Sequence, residues 1–477
     1  FKKNHKNKKN QIIYYKNKCT NYKIVENIID NFLLKKNTFI FESVEKRRIR
    51  GRYTIIGGDP DKIWEFNDKK ISLIQNSKKK SVKAQPYPFL KKLIDEFKFP
   101  LPKGLPHLSS LLVGYFSYDI IRYIEKIPNR CSNDLKIPDI RLMRPKSLII
   151  YDNLYKEIYF LVNCFGDEKI NNYSKYYSEQ LKKVDYLKET TSFNKKEKTI
   201  NKKIKKIKVK SNITKKKFKK IVLDAKEYIK KGDIFQVVLS QRFETKLTKS
   251  PLDIYKKLRI TNPSPFMFFF NFKDFQIIGS SPEILVRLRD NKITIRPIAG
   301  TRPRGSNPKK DAFYKRDLLK DKKELSEHLM LLDLGRNDVG KVSKVNTVKV
   351  TEKFKVEKYS HVMHIVSNVE GKFDKKQGLL DTLLAGFPAG TVSGAPKIRA
   401  MEIIDELEKT KRKMYAGAIG YFSSNHSFDT CIALRTALIK KNKFYIQSGA
   451  GIVADSVPEK EYYETVNKAK ALINSLY

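Results

Sequence analysis

The stretch Phe387-Pro-Ala-Gly-Thr-Val-Ser-Gly-Ala-Pro-Lys-Ile-Arg-Ala-Met401 gathers small residues around one Thr and one Ser directly ahead of a helical pattern. Gly390 and Gly394 let the backbone come close to a ligand, and Pro396 suits the first turn of a helix. Ala400, Ile403, Ile404 and Leu407 then recur at helical spacing and give that helix an apolar face. Such a turn serves either as plain capping or as an anion site, and the phosphate-loop spacing G-x-x-x-x-G-K-[ST] is absent.

Downstream, Gln447-Ser-Gly-Ala-Gly-Ile-Val453 follows the strand-like run Lys443-Phe-Tyr-Ile446, which puts Gly449 and Gly451 at a strand end. Consecutive backbone N–H groups there suit a carboxylate. Arg435, in the alternating run Cys431-Ile-Ala-Leu-Arg-Thr436, offers either a guanidinium fork for the same planar anion or an ordinary surface ion pair. Upstream, Glu324 and Glu327 share one helical face, as do Glu461 and Glu464 farther on. Oxygens from two helices suit magnesium, which keeps some waters and is completed by a substrate oxyanion; each pair alone also fits a solvated, ion-paired face.

The chain has six histidines, and Ser360-His-Val-Met-His-Ile-Val366 holds two of them. In a strand, His361 and His364 face opposite sides, so one faces a pocket while the other is a hydrogen-bonded core residue, the role expected of His361. A neutral imidazole in a pocket serves as general base or acid.

With 477 residues and 40% hydrophobic content, the chain can bury a large core as one elaborate unit or as two interleaved halves. Short β-branched and aromatic runs at 147–151, 158–163, 235–239 and 266–272 are interrupted by amphipathic helices, which reads as an α+β fold. The lysine-rich segment 194–220 is expected to be an exposed connection between an amino-terminal region, 1–193, and a second region, 221–477.

No apolar run reaches the length of a membrane span, and the basic residues 1–10 lead into no signal-peptide core. Cys19, Cys131, Cys164 and Cys431 are dispersed without metal spacing, as suits a reducing cytoplasm. The formal charge of +48 comes from lysine spread along the chain, with no basic helix interleaved with stacking aromatics. That pattern argues against a nucleic-acid partner, although it can steer a dianionic substrate.

From Arg296 to Ala469 the chain resembles the chorismate-utilising enzymes, and most nearly their anthranilate synthase component I members. The resemblance rests on Arg296-Pro-Ile-Ala-Gly-Thr-Arg-Pro-Arg-Gly305, Glu327-His-Leu-Met-Leu-Leu-Asp-Leu-Gly-Arg-Asn-Asp338, the two-histidine segment, the Gly390 loop, Tyr415-Ala-Gly-Ala-Ile-Gly-Tyr421, and Gly449 to Gly451 with the Glu464 helix. A weaker likeness extends over residues 24–160.

It implies two antiparallel sheets packed as a sandwich with helices outside, and conversion of chorismate and ammonia to anthranilate and pyruvate. The implied magnesium ligands are Glu327 and Glu464, with Glu461 as companion. His364, Thr391 and Glu324 are the implied catalytic residues, and Gly300, Thr301, Tyr415, Arg435, Gly449, Ala450 and Gly451 grip chorismate.

Aminodeoxychorismate synthases place a lysine where this chain has Ala299, and isochorismate and salicylate synthases place one at Gln236, so both remain as alternatives that these positions disfavour. Phe41-Glu-Ser-Val-Glu45 with Gly51-Arg-Tyr-Thr-Ile-Ile56, and Asn262-Pro-Ser-Pro-Phe-Met267, resemble the two halves of a tryptophan feedback site. Ser43, Pro265, Phe266 and Met267 are its contacts; Phe41 stands where leucine is usual and Phe266 where tyrosine is common.

The chain has no nucleophile elbow or Cys/His pair for glutamine hydrolysis. A separate glutamine amidotransferase subunit is therefore expected, and the resemblance implies a heterotetramer of two copies of each chain.

Overall fold

Runs of β-branched and aromatic residues become antiparallel strands throughout the computed structural model, which describes residues 1–44, 51–98, 101–192, 207–359 and 362–477. The pairing interleaves the two ends of the chain. Thr38–Glu42 lies between Phe266–Asn271 and Tyr53–Asn67, and Leu111–Phe116 lies between Ala418–Ser423 and Ile140–Asp152. Residues 1–193 and 221–477 therefore share one sheet rather than forming separable halves.

Two faces of this sheet pack on one another as a sandwich. Phe41 meets Tyr421 edge to face at 5.8 Å, and Tyr115 meets Phe272 at 6.1 Å, within a core drawn from both layers. The expected pair of sheets is one continuous, open hydrogen-bonded network. Tyr53–Asn67 and Ile140–Asp152 pair along their lengths and carry it from layer to layer. Their register slips between Pro60 and Lys62, where proline has no N–H to donate and the strand bends.

Helices cover the outer faces. Lys23–Phe32, Pro251–Thr261 and Pro458–Ile473 share one core with the sheet, through Ile28, Leu258 and Leu472. Lys215–Lys230, Leu379–Ala385 and Lys397–Leu407 share another, through Val222, Leu383 and Ile404. No helix among the described residues is long and apolar enough to cross a membrane.

The lysine-rich connection is shorter than 194–220. Residues 193–206 lie outside the described part, but Lys210–Ser211 pairs with Phe243 and Glu244, and Thr214 caps Lys215–Lys230 by accepting from the Lys217 amide at 3.3 Å. Phe218, Ile221, Val222 and Ala225 bury one face of that helix, a stripe that the surrounding lysines conceal in composition. In the Gly390 loop, Gly390–Val392 forms a 3-10 turn, Gly394–Ala395 pairs with Val237 and Gln236, and Pro396 is the N-cap of Lys397–Leu407 rather than part of its first turn.

Candidate active site

Asp321 caps the helix Lys322–Gly340 by accepting from the amides of Lys323 and Glu324, which puts Glu324 in the first turn and Glu327 one turn on, on the same face. Glu327 Oε1 accepts from Gln236 Nε2 at 2.9 Å, and Glu324 Oε1 accepts from Arg302 Nη1 at 3.1 Å. Burial raises the Glu324 carboxyl; Arg302 opposes the shift and the charge of Glu327 adds to it.

The helix Pro458–Ile473 carries the other pair. Burial raises Glu461, Glu464 adds to the shift, and Lys323 of the first helix opposes it, so the two acidic helices feel each other's charge. Glu464 Oε1 pairs with Lys468 Nζ at 2.7 Å, and Lys468 Nζ also donates to the Gly449 carbonyl at 3.0 Å.

Among the described residues no three acidic, histidine or cysteine side chains draw together as a ready ligand shell. The donor set nevertheless fits magnesium in its chemistry: hard carboxylate oxygens, repelling one another within each pair and partly buried, on two helices.

His364 sits on the strand Val362–Lys372 opposite Thr301. Its neighbours Met363 and Ile365 turn the other way, into a buried cluster with Leu318. His364 Nδ1 is 3.1 Å from the Gly300 carbonyl and 3.0 Å from Thr301 Oγ1. A carbonyl only accepts, so Nδ1 carries the hydrogen and Nε2 keeps its lone pair. Burial pushes the imidazole down to about 4, outweighing the opposing bond to Gly300, so it is neutral near pH 7. His361 lies outside the described residues.

Thr391 Oγ1 donates to Glu283 Oε1 at 3.1 Å. Burial raises the Glu283 carboxyl to about 8, against the opposing pull of Thr391, the Ile298 amide and Arg435, so this side chain is a carboxylic acid at neutral pH. Sequence reasoning passed over Glu283. Its signal was weak: one acid after a proline in Ser280-Ser-Pro-Glu-Ile284, between two apolar strands.

Two expectations about backbone change. Arg435 is not in mid-strand: it takes a left-handed φ of 47° between Phe428–Ile432 and Thr436–Lys440, and among the described residues its guanidinium forms no ion pair. Gly449 and Gly451 do not follow a strand end either. They lie within Lys443–Ile452, whose ladder with Thr436–Lys440 stops at Ile446 while its ladder with Gln236–Lys246 continues to Ile452. One edge is thus left without a neighbouring strand. A Cβ at Gly449 would stand 2.5 Å from Tyr415 Oη and 3.0 Å from the Leu239 carbonyl, and one at Gly451 2.7 Å from Gln236 Nε2, so a side chain at either position would displace Tyr415 or Gln236. Ala450, between them, is buried.

A cavity of about 860 Å³ lies on the far side of Pro282 and Ile284. Ser43, Pro265, Phe266 and Met267 line it, with Phe41 and Tyr421 adding aromatic walls. Three buried polar atoms of lining residues have no hydrogen-bond partner among the described residues: Ser43 Oγ, His107 Nε2 and Asp429 Oδ1. Aromatic and aliphatic walls joined by charged side chains of both signs, among them Arg52, Arg287 and Asp429, suit a small amphiphilic, zwitterionic ligand.

The chorismate binding enzyme family matches residues 36–474. Anthranilate synthase component 1 of Cereibacter sphaeroides is 48% identical over 443 residues, 92% of this chain and 89% of that protein. The Acetivibrio thermocellus protein of the same name is 44% identical, over 92% of this chain and 90% of its own length. The crystal structure of anthranilate synthase component I from Streptococcus pneumoniae superposes with a TM-score of 0.80 at 36% identity, covering 90% of this chain and 94% of that one. The menaquinone-specific isochorismate synthase of Escherichia coli shares the fold alone, with a TM-score of 0.71 at 17% identity, over 98% and 95% of the two chains. By sequence and by fold, this chain belongs to the chorismate binding enzymes, among their anthranilate synthase component 1 members.

Proposed function

We propose that this chain is the chorismate-converting component of an anthranilate synthase, forming anthranilate, pyruvate and water from chorismate and ammonia at the entry to tryptophan biosynthesis. The observation that carries this reading is Gln236 beside Glu327: an amide has no useful basicity to activate water, and Ala299 offers no amine nucleophile, so the attacking group comes from outside.

Glu327 and Glu464 would hold magnesium, with Glu324 and Glu461 beside them. The ion, when bound, withdraws electron density from the ring carboxylate. Arg435, Tyr415, Thr301 and the open edge at Gly449, Ala450 and Gly451 grip the rest of chorismate, and the unpaired guanidinium of Arg435 matches a carboxylate. Glu283, held as the acid and contacted by Thr391, gives its proton to the departing ring hydroxyl as ammonia adds. His364 Nε2 then takes the ring proton as pyruvate leaves and the ring becomes aromatic.

The cavity at Ser43, Pro265, Phe266 and Met267 binds L-tryptophan as a feedback inhibitor. A glutamine amidotransferase subunit supplies ammonia, in a cytoplasmic heterotetramer of two copies of each chain; free ammonia is mostly protonated at neutral pH, which favours its delivery within a complex. Incubation with chorismate, magnesium and ammonium should yield anthranilate fluorescence, while glutamine should be inert until the partner subunit is added. Accumulation of isochorismate or aminodeoxychorismate in place of anthranilate would overturn the assignment, and glutamine-dependent turnover by the homogeneous chain would remove the partner.

A further inference from the structure

A single extended segment separates the cavity from the Glu283–Thr391 contact. Pro282 and Ile284 line the 860 Å³ cavity, while Glu283 between them turns its carboxyl the opposite way, to Thr391. Successive side chains of an extended chain point to opposite sides, so one backbone stretch faces the cavity on one side and Thr391 on the other. The stretch is tightly held: the Glu283 carbonyl accepts from the Ile432 amide at 3.1 Å, and Ser281 Oγ donates to the Ile432 carbonyl at 2.7 Å.

A second segment repeats the arrangement. Ile298 lines the cavity, and its backbone amide opposes the upward shift of the Glu283 carboxyl, which places the amide on the Glu283 side of the wall. Two and three residues on, the Gly300 carbonyl and Thr301 Oγ1 hold His364 Nδ1. Both proton-handling groups of the active site are therefore attached to backbone whose other face is the cavity wall. Ile298 lines the cavity two residues ahead of the Gly300 carbonyl that holds His364.

We propose that Ile298 is a positioning residue that couples the cavity to the active site: a ligand seated against Pro282, Ile284 and Ile298 displaces the Glu283 carboxyl and the Gly300–Thr301 segment, and slows turnover by misplacing the proton donor and the base. This rests on the reading of the cavity as the tryptophan site, and it adds the route by which occupancy reaches the chemistry. Packed walls transmit such shifts because interiors are dense and yield little.

The test uses the full chain with ammonium, chorismate and magnesium. Tryptophan binding is measured by calorimetry, and inhibition is measured against each variant's own uninhibited rate. Ile298→Ala, which removes the side chain that the ligand presses, is expected to bind tryptophan with affinity close to the parent's while the coupling between occupancy and rate falls about tenfold. Ile298→Val keeps the branched strand residue, guards against a folding defect, and is expected to lie between the two. In the parent, half-saturating tryptophan should also shift the alkaline limb of the pH–rate profile, and in Ile298→Ala that shift should vanish. Inhibition that still follows occupancy in both variants, or an unmoved limb in the parent, would overturn the coupling. No binding heat with the parent would overturn the tryptophan site itself, and the coupling with it.

Discussion

Gln236 Nε2 and Glu327 Oε1 lie 2.9 Å apart, joining the first residue of the strand Gln236–Lys246 to the first acidic helix, with Gly451 giving the amide room. The contact ties the residue that disfavours water attack to a carboxylate proposed to hold the metal. Gln236→Lys would place a cation beside that carboxylate. The magnesium concentration giving half-maximal rate should rise at least about tenfold, since like charges near 4 Å repel by roughly 1–4 kcal/mol in water or at a protein surface. An unchanged magnesium requirement would separate Gln236 from the metal site.

Glu327→Gln and Glu464→Gln should each abolish magnesium-dependent turnover, because each replaces a charged oxygen by a weaker donor on a cation with few protein ligands. Glu464→Gln also releases Lys468 from its ion pair at 2.7 Å. Rates measured across a magnesium titration check this, and full activity at limiting magnesium in either variant would reject the ligand assignment.

His364→Ala should lower anthranilate formation by a factor of about 10²–10⁴, the usual contribution of a positioned base. Amine addition does not use this base, so an aminated, pyruvate-bearing intermediate should accumulate and be separable by chromatography. An undiminished rate with no such species would take His364 out of the second step.

Glu283 is needed as the acid, and its carboxyl is raised to about 8, so activity should be present below that value and decline as pH rises through it. His364 is lowered to about 4 and is needed neutral, so activity should also decline as pH falls through that value. With free ammonia held constant, the profile should be a bell between these limits. Glu283→Gln should lower the rate and erase the alkaline limb; a limb that survives belongs to another group.

Ser43→Phe should relieve tryptophan inhibition by filling the cavity that Ser43 lines. The inhibitor concentration for half-maximal effect, compared between variant and parent, decides it. An effect equal in both, or absent from the parent, would remove the regulatory site.

Much of this architecture could be read from local pattern. The run 147–151 falls within Ile140–Asp152 and 266–271 forms its own strand, because continuous apolar β-branched and aromatic residues suit a strand buried on both faces. Both carboxylate pairs lie on helices where their spacing put them. Alternation misled at Arg435, since it continues in sequence across a residue whose left-handed backbone breaks the strand. The Phe218 helix was hidden because lysine outnumbers its buried stripe. Glu283 was beyond local reading altogether: its perturbed acidity comes from burial created by segments far apart in sequence, among them the loop of Thr391, whose hydroxyl donates to it.

The pairing of Thr38–Glu42 with Phe266–Asn271 has an evolutionary corollary. An inhibitor-binding module appended to an enzyme can be discarded by deletion, leaving the catalyst whole. Here the strand that leads to Ser43 is an inner strand of the same sheet, and excising it would strip hydrogen-bond partners from Phe266–Asn271 and Tyr53–Asn67 together. Loss of the proposed inhibition is therefore expected through side-chain replacement in the cavity, with the backbone of the shared sheet left in place.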